Sequence, residues 1–494
     1  MSVRLSLAAL PALPDGIARP AYSREAQSPG ILHVGTGNFH RAHQAVYLDD
    51  LFNRGRDLDW AIIGAGVRPH DAAMRERLAA QDWLTTVVEL EPGANSARVT
   101  GAMIGFAAVA PGNAPLIAAM SDPAIRIVSL TVTEGGYCIN PATGAFDPDH
   151  PEIRADLAAP QAPTTVFGAI LAALRTRRAA GIAPFTVMSC DNLPRNGQVT
   201  REAVTGLAAL LDRDFAAWIA EKVAFPDSMV DRITPATTES DRAALAARFG
   251  FEDAWPVFCE PFRQWVLEDH FPAGRPALEE VGVTFSDQVA AFELMKLHIL
   301  NGGHAIIAYP AALLGLKMVD EAMAHPLVAG FLRKVAEEEV LPVVPPVPGT
   351  DLSAYLRQIE TRFANADVRD TVPRLCADGS NRQPKFILPS IRDRLARGAG
   401  IRGLALETAL WCRYCHGETE AGAPVTLEDG NAARLTAAAR RARETPLAFL
   451  ELGDIFGDLA RTPAYREAFA AALQSLWREG VARTLETYLR DGAA

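Results

Sequence analysis

The segment FELMKLHILNGGH, residues 292–304, concentrates side chains able to do chemistry. Treated as a helix, its spacing predicts Glu293, Lys296, Asn301 and His304 in one stripe roughly 140° wide at about 100° per residue. The neighbouring Met295, Leu297, Ile299 and Leu300 are apolar. A polar stripe in an apolar helix must reach solvent, a partner or a site, because isolated buried charge is unfavourable. A lysine there becomes a general base if burial and a nearby positive charge bring its pKa toward neutrality. Asn301 offers an amide N–H to an alcohol or alkoxide oxygen, and His304 can orient a neighbouring hydroxyl. Together these groups suit proton transfer at a hydroxyl. The same spacing also fits a solvated lysine beside a core-capping Asn–His pair. Gly302 and Gly303 weaken the helix and permit close approach of a backbone or ligand.

A second candidate wall is SCDNLPRNG, residues 189–197, after a predicted strand. Doubly wound folds expose their ligand-binding loops there, and Asn192 would supply a second amide. Asp191 and Asn196 are better suited to holding the turn through bonds to backbone. VDRITP adds Asp231 and Arg232, either a paired structural motif or a further substrate wall.

These groups need a scaffold. Strand patterns fit residues 30–36, 60–66, 85–90, 126–132 and 184–190, with helical patterns over 38–55 and 164–181. Continuous apolar strands alternating with amphipathic helices predict a largely parallel sheet covered on both faces, in an α/β fold. Gly35 and Gly37, at the first strand-to-helix turn, would let backbone amides approach a pyrophosphate, as in a Rossmann-like domain. The GxGxxG pattern is incomplete, since His40 holds its third glycine position, and an ordinary tight turn fits equally. Asn38 and Phe39 share that turn. His33, His40 and His43 read as packed or hydrogen-bonded histidines, because no neighbouring cysteine or carboxylate completes a metal site. Glu134, in TVTEGGYC, fits a turn cap or the rim of a site. After about residue 287 the pattern becomes helical, which predicts a cofactor domain with an N-terminal arm over 1–286 and a mainly α-helical substrate domain over 287–494. LPVVPPVPG at 341–349 separates two of the later helices.

Composition excludes several classes. A chain of 494 residues, 49% apolar, suggests two large domains. A net charge of −11 argues against a general nucleic-acid binder. The most apolar stretch, 299–315, contains Asn301, His304 and Pro310, so it reads as a buried helix rather than a membrane span. Six scattered cysteines form no disulfide framework and fit a reducing cytoplasm. LSLAAL near the start reads as part of a short arm, a secretory signal being the lesser reading. CRYCH, 412–416, matches a minimal haem-attachment pattern, but its apolar helical surroundings predict structural cysteines.

The ordered series GTGNFHRAHQAVY, TVTEGGYC, FTVMSCDNLPRNG, MVDRITP, CEPFRQWVLED, MKLHILNGGH and ADGSNRQPKF resembles the polyol-specific long-chain dehydrogenase family over nearly the whole chain. The resemblance implies metal-independent, NAD-dependent oxidation of a secondary alcohol, in a monomer with a dimer left open. It implies a reaction between a cofactor domain and a substrate domain. By motif, the base falls on Lys296, the oxygen-stabilising amides on Asn192 and Asn301, the positioning histidine on His304, and the proton gate on Glu293. Asp231, Arg374 and Arg382 match residues facing the polyol, although lysine is the family residue expected where Arg382 stands. The cofactor set becomes Gly35, Gly37, Asn38, Phe39, Asp71 and Glu134, with Asp71 favouring NAD and Arg68 opposing that preference. The mannitol branch, converting mannitol and fructose, fits TEGGYC and CDNLPRNG best. Fructuronate, arabinitol and sorbitol are the alternative substrates, and a sugar or nucleotide sensor is the non-enzymatic alternative.

Overall fold

The computed structural model describes residues 3–140 and 144–491. The chain divides into two compact units, Met1–Ala290 and Ala291–Ala494.

In the first unit, five strands form one sheet: β1 (Pro29–Val34), β2 (Ala61–Ala65), β3 (Met103–Phe106), β4 (Ile127–Leu130) and β5 (Thr186–Ser189). Their spatial order is β3-β2-β1-β4-β5, all parallel. Successive side chains on a strand point to opposite faces. Ile31, Ile127 and Met188 accordingly enter one core, whereas Leu32, Val34, Val128, Leu130 and Val187 enter the other. Each fully buried branched side chain contributes roughly 1.5–3 kcal/mol relative to exposure. Both faces being covered explains the unbroken apolar runs in the sequence. This is the Rossmann-like arrangement expected.

Two local expectations need correction. Residues 85–89 do form a strand, but it lies in a separate three-stranded sheet, antiparallel to Ser96–Thr100 and parallel to Val257–Cys259. Its apolar composition could not distinguish one sheet from another. The helical pattern over 38–55 breaks into α1 (Asn38–Ala42) and α2 (Gln44–Asn53) at His43, whose backbone lies at φ −120°, ψ −86°. The His43 ring is buried, bonds through Nε2 to the Gln264 carbonyl at 2.8 Å, and stacks on Phe39. That distant anchor overrides the helical periodicity.

His33 on β1 and His40 on α1 stack with ring centroids 3.4 Å apart. His33 Nδ1 meets Ser129 Oγ at 2.7 Å, Nε2 meets Thr131 Oγ1 at 2.8 Å, and His40 Nδ1 meets Gln44 Oε1 at 3.2 Å. Burial depresses all three of His33, His40 and His43, with His33 and His43 brought to about 3. Neutral imidazoles can stack without repulsion. The unfolded chain takes up these protons near pH 6.5, whereas the native state resists them until about pH 3. Stability from His33 and His43 is therefore fully present above the unfolded pKa and lost as pH falls through this window. Urea unfolding between pH 7 and pH 5 should show a slope approaching about 1.4 kcal/mol per pH unit for each such histidine. A flat profile would reject the neutral, buried assignment.

Among its described residues the regular structure of the second unit is helical, apart from two isolated bridges, Met318 with Thr371 and Glu418 with Pro424. Among the described residues no helix is long and apolar enough to cross a membrane. Cys412 and Cys415 lie buried on Arg402–Cys415 and are unbridged. Burial pushes both thiols well up, as structural cysteines require.

Candidate active site

The segment is helical as predicted, but its path is not a uniform α-helix. Chain residues Val289–Met295 form α3, followed by a π-helical turn over Lys296–Asn301 and then α4 (Gly302–Leu313). Such a turn bonds residue i to i+5, so Lys296 and Asn301 come nearly over one another rather than at opposite limits of an α-helical stripe. π turns recur at functional sites because a regular helix cannot place two such residues together. Two glycines follow immediately, closely packed but not overcrowded: a Cβ on Gly302 would stand in ordinary contact, 3.4 Å from the Phe386 carbonyl oxygen, and one on Gly303 3.4 Å from Leu332 and Phe363.

Lys296 is only 8% exposed, and Glu293 on α3 is half-buried. Asn301 Oδ1 and His304 Nε2 are buried without a hydrogen-bond partner. Leaving such atoms unsatisfied costs about 1–3 kcal/mol each, which a polar ligand would recover. His304 stacks on Phe363, with centroids 4.1 Å apart, which fixes its ring. Burial, then the charges of Arg374, Arg362 and Arg382, holds His304 far below its ordinary pKa. It is neutral at physiological pH and retains both a donor and an acceptor nitrogen.

The arginines arrive from three helices. Arg374 lies exposed on Val372–Cys376 and is forked onto Asp370, while Arg382 on Gly379–Phe386 donates to the carbonyls of Arg374 (3.2 Å) and Leu375 (3.0 Å). Arg362 escaped the sequence reading. It lies on Leu352–Phe363 and is only 7% exposed. The available signal was its place on the buried stripe with Tyr355 and Ile359, where a charged residue needs a reason.

In the first unit, Asn192 is exposed on the loop after β5. Asp191 holds that loop by accepting from the amides of Val132 (3.0 Å) and Thr133 (2.8 Å) and from Tyr137 Oη (2.7 Å). Burial nevertheless raises its carboxyl, the Tyr137 bond pulling the other way. Asn196 bridges the Asp191 and Ser228 carbonyls at 3.0 and 2.9 Å. Both serve the turn, as their residue types suggested. Asp231 is buried at the end of Ser228–Asp231. Arg232 is structural: it donates to the carbonyls of Glu260 (2.9 Å) and Ala42 (2.5 Å) and to Glu89 (2.6 Å).

A cavity of about 500 Å³ opens beside the β1–α1 turn, its walls including Gly35, Gly37, Gly66, Arg68, Asp71 and Glu152. Gly35 adopts φ +98°, and an added Cβ would lie 2.1 Å from the Thr131 carbonyl oxygen. Gly37 is different. Its nearest obstruction, the Gly35 carbonyl oxygen, is 4.0 Å away, so its missing side chain leaves room on the cavity side. Asn38, Phe39 and Glu134 are not among the residues lining this cavity. Asn38 Nδ2 instead donates to the Pro235 carbonyl (3.2 Å), Phe39 packs on His43, and Glu134 is exposed at the start of a 3₁₀ turn. Asp71 Oδ2 accepts from the Arg68 amide at 2.9 Å, and its carboxylate fills the space that a Gly66 Cβ would need.

Cys138, His150 and Glu152 bring potential metal-ligating atoms within 4.8 Å of one another. Glu152 is already forked onto Arg68, and burial pushes the Cys138 thiol up to about 11. The trio thus offers a cation two weakened ligands.

Residues 29–280 match the family model of the mannitol dehydrogenase Rossmann domain, and residues 288–477 match that of the mannitol dehydrogenase C-terminal domain. The chain belongs to the mannitol dehydrogenase family. It is 61% identical to a mannitol 2-dehydrogenase of Cereibacter sphaeroides, over 96% of this chain and 99% of that protein. A solved Pseudomonas fluorescens mannitol 2-dehydrogenase, in ternary complex with NAD and D-mannitol, is 42% identical with a TM-score of 0.87, covering 99% of this chain and 100% of that one. A substrate-free D-sorbitol dehydrogenase is 34% identical with a TM-score of 0.91, covering 98% and 100%. This family membership accounts for the ordered motifs in both halves of the sequence.

Proposed function

We propose that this chain catalyses the reversible, NAD-dependent oxidation of D-mannitol to D-fructose, with Lys296 as general base. The observation carrying this reading is the buried Lys296 in one wide turn with Asn301, whose Oδ1, like His304 Nε2 just beyond, lacks a partner. NAD supplies the hydride acceptor, and Gly35, Gly37 and Asp71 are the described residues suited to hold it. Neutral Lys296 Nζ takes the proton of the reacting hydroxyl, and Asn301 and Asn192 stabilise the oxygen as negative charge develops. Neutral His304 aligns the polyol, with Asp231, Arg374 and Arg382 contributing polar contacts. Glu293 passes the proton between Lys296 and water. The reverse reaction returns it from protonated Lys296. Lysine thus manages the proton without a catalytic metal.

The division of labour assigned from sequence, cofactor over 1–286 and substrate over 287–494, is supported by the separation of the two compact units near Ala290. A cytoplasmic location is supported by six unbridged, buried cysteines. D-sorbitol is the second substrate candidate, favoured by the likeness to a D-sorbitol dehydrogenase. Initial rates with mannitol, sorbitol, arabinitol, fructose and fructuronate, each with NAD(H) and NADP(H), test the assignment. Mannitol and fructose with the unphosphorylated cofactor should give the highest kcat/KM. A dominant preference for fructuronate would overturn the substrate, and one for NADP the cofactor.

A further inference from the structure

Among the described residues lining the cavity beside the β1–α1 turn, Arg68 is the only lysine or arginine. A cofactor carrying a 2′-phosphate would need such a cation beside the ribose. Arg68 is already engaged. Its Nη1 donates to Glu152 Oε1 at 2.6 Å and its Nη2 to Oε2 at 3.1 Å, a two-pronged pairing across 84 residues of sequence. Its backbone amide meanwhile donates to Asp71 Oδ2. Glu152 thus takes the guanidinium and Asp71 the backbone amide, and the three side chains together carry a net negative charge.

Glu152 lies in the first turn of Pro151–Ala158, remote in sequence from the glycine turn and from Asp71. Both partners remain partly exposed, at 45% for the Arg68 side chain and 33% for that of Glu152. Solvent screening makes the pair a weak source of fold stability. Its geometry still occupies the planar donor fork that a phosphate would use.

We propose that Glu152 is a further determinant of cofactor specificity, excluding NADP by sequestering Arg68 and adding negative charge beside Asp71. This rests on the reading of the cavity as the NAD site. A 2′-phosphate must displace a two-pronged carboxylate before gaining Arg68, and then faces that displaced charge. NAD, with its free ribose hydroxyl, has no such competition. Asp71 alone would therefore understate the selectivity, and Arg68 viewed without its partner would reverse its meaning.

The decisive measurements are kcat/KM for NAD and NADP in the wild type, E152Q, R68A and R68A/E152Q, with NAD titration by protein-fluorescence quenching. E152Q keeps the shape of the side chain but removes its charge. It should raise the NADP-to-NAD ratio about tenfold, the worth of one newly available charge-assisted hydrogen bond. R68A should leave the ratio near that of the wild type, and R68A/E152Q should lose most of the E152Q gain. Equal losses with both cofactors in E152Q would mean that Glu152 only braces its helix, overturning the proposal. So would an unchanged ratio while NAD binding persists, or an E152Q gain that survives removal of Arg68. Failure of the wild type to bind NAD would instead reject the underlying cofactor site, and this assignment with it.

Discussion

Lys296→Ala is expected to slow the chemical step roughly 10²–10⁴-fold, the usual contribution of positioned acid–base catalysis. The lysine is buried at the start of the π turn, so truncation removes the proposed proton acceptor and alters none of the residues of the β1–α1 turn. NAD affinity should change little. Pre-steady-state absorbance would isolate hydride transfer from product release, and added small amines should restore part of the rate. Near-normal transfer in the alanine variant would remove Lys296 from the mechanism. A chelator control tests the metal-free reading: reversible inactivation cured specifically by zinc would defeat it.

Gly35→Ala should be the most damaging substitution at the cofactor turn. The backbone at Gly35 is left-handed, at φ +98°, and the added carbon would stand 2.1 Å from the Thr131 carbonyl oxygen. Strain and overpacking together should destabilise the protein by about 2–5 kcal/mol and largely abolish NAD binding. Gly37→Ala supplies the contrast, since that backbone has φ −67° and the new carbon meets no atom closer than 4.0 Å. It should fold normally yet bind NAD more weakly. Thermal melts paired with NAD titrations distinguish the two. A Gly35→Ala protein with unchanged melting temperature would contradict the steric argument.

Local patterns were informative where local constraints dominated. Apolar runs marked all the strands of the parallel sheet except β3, while Gly35 and Gly37 marked its first turn. The same patterns could not reveal that residues 85–89 pair in another sheet, because pairing partners are separated in sequence. His40 looked like a defect in a glycine motif; in the structure its ring fills the place beside β1 by stacking on His33. The polar composition of 293–304 pointed to the site, but a uniform 3.6-residue period missed the π turn that changes the relation of Lys296 to Asn301. Arg362 and Glu152 were harder to identify. One is an anomaly on an otherwise apolar helix face, and the other acquires its role only through a partner 84 residues away.

The six thiols offer an unplanned convenience for surface chemistry. All are buried and unbridged, and burial raises every one of them above the usual cysteine range. Thiolate is the species that attacks maleimides and iodoacetamides, so the native background should be low near neutral pH. One cysteine introduced at an exposed position would then serve as a unique attachment point for a dye, an electrode or a solid support, without first stripping the interior of its own sulfur.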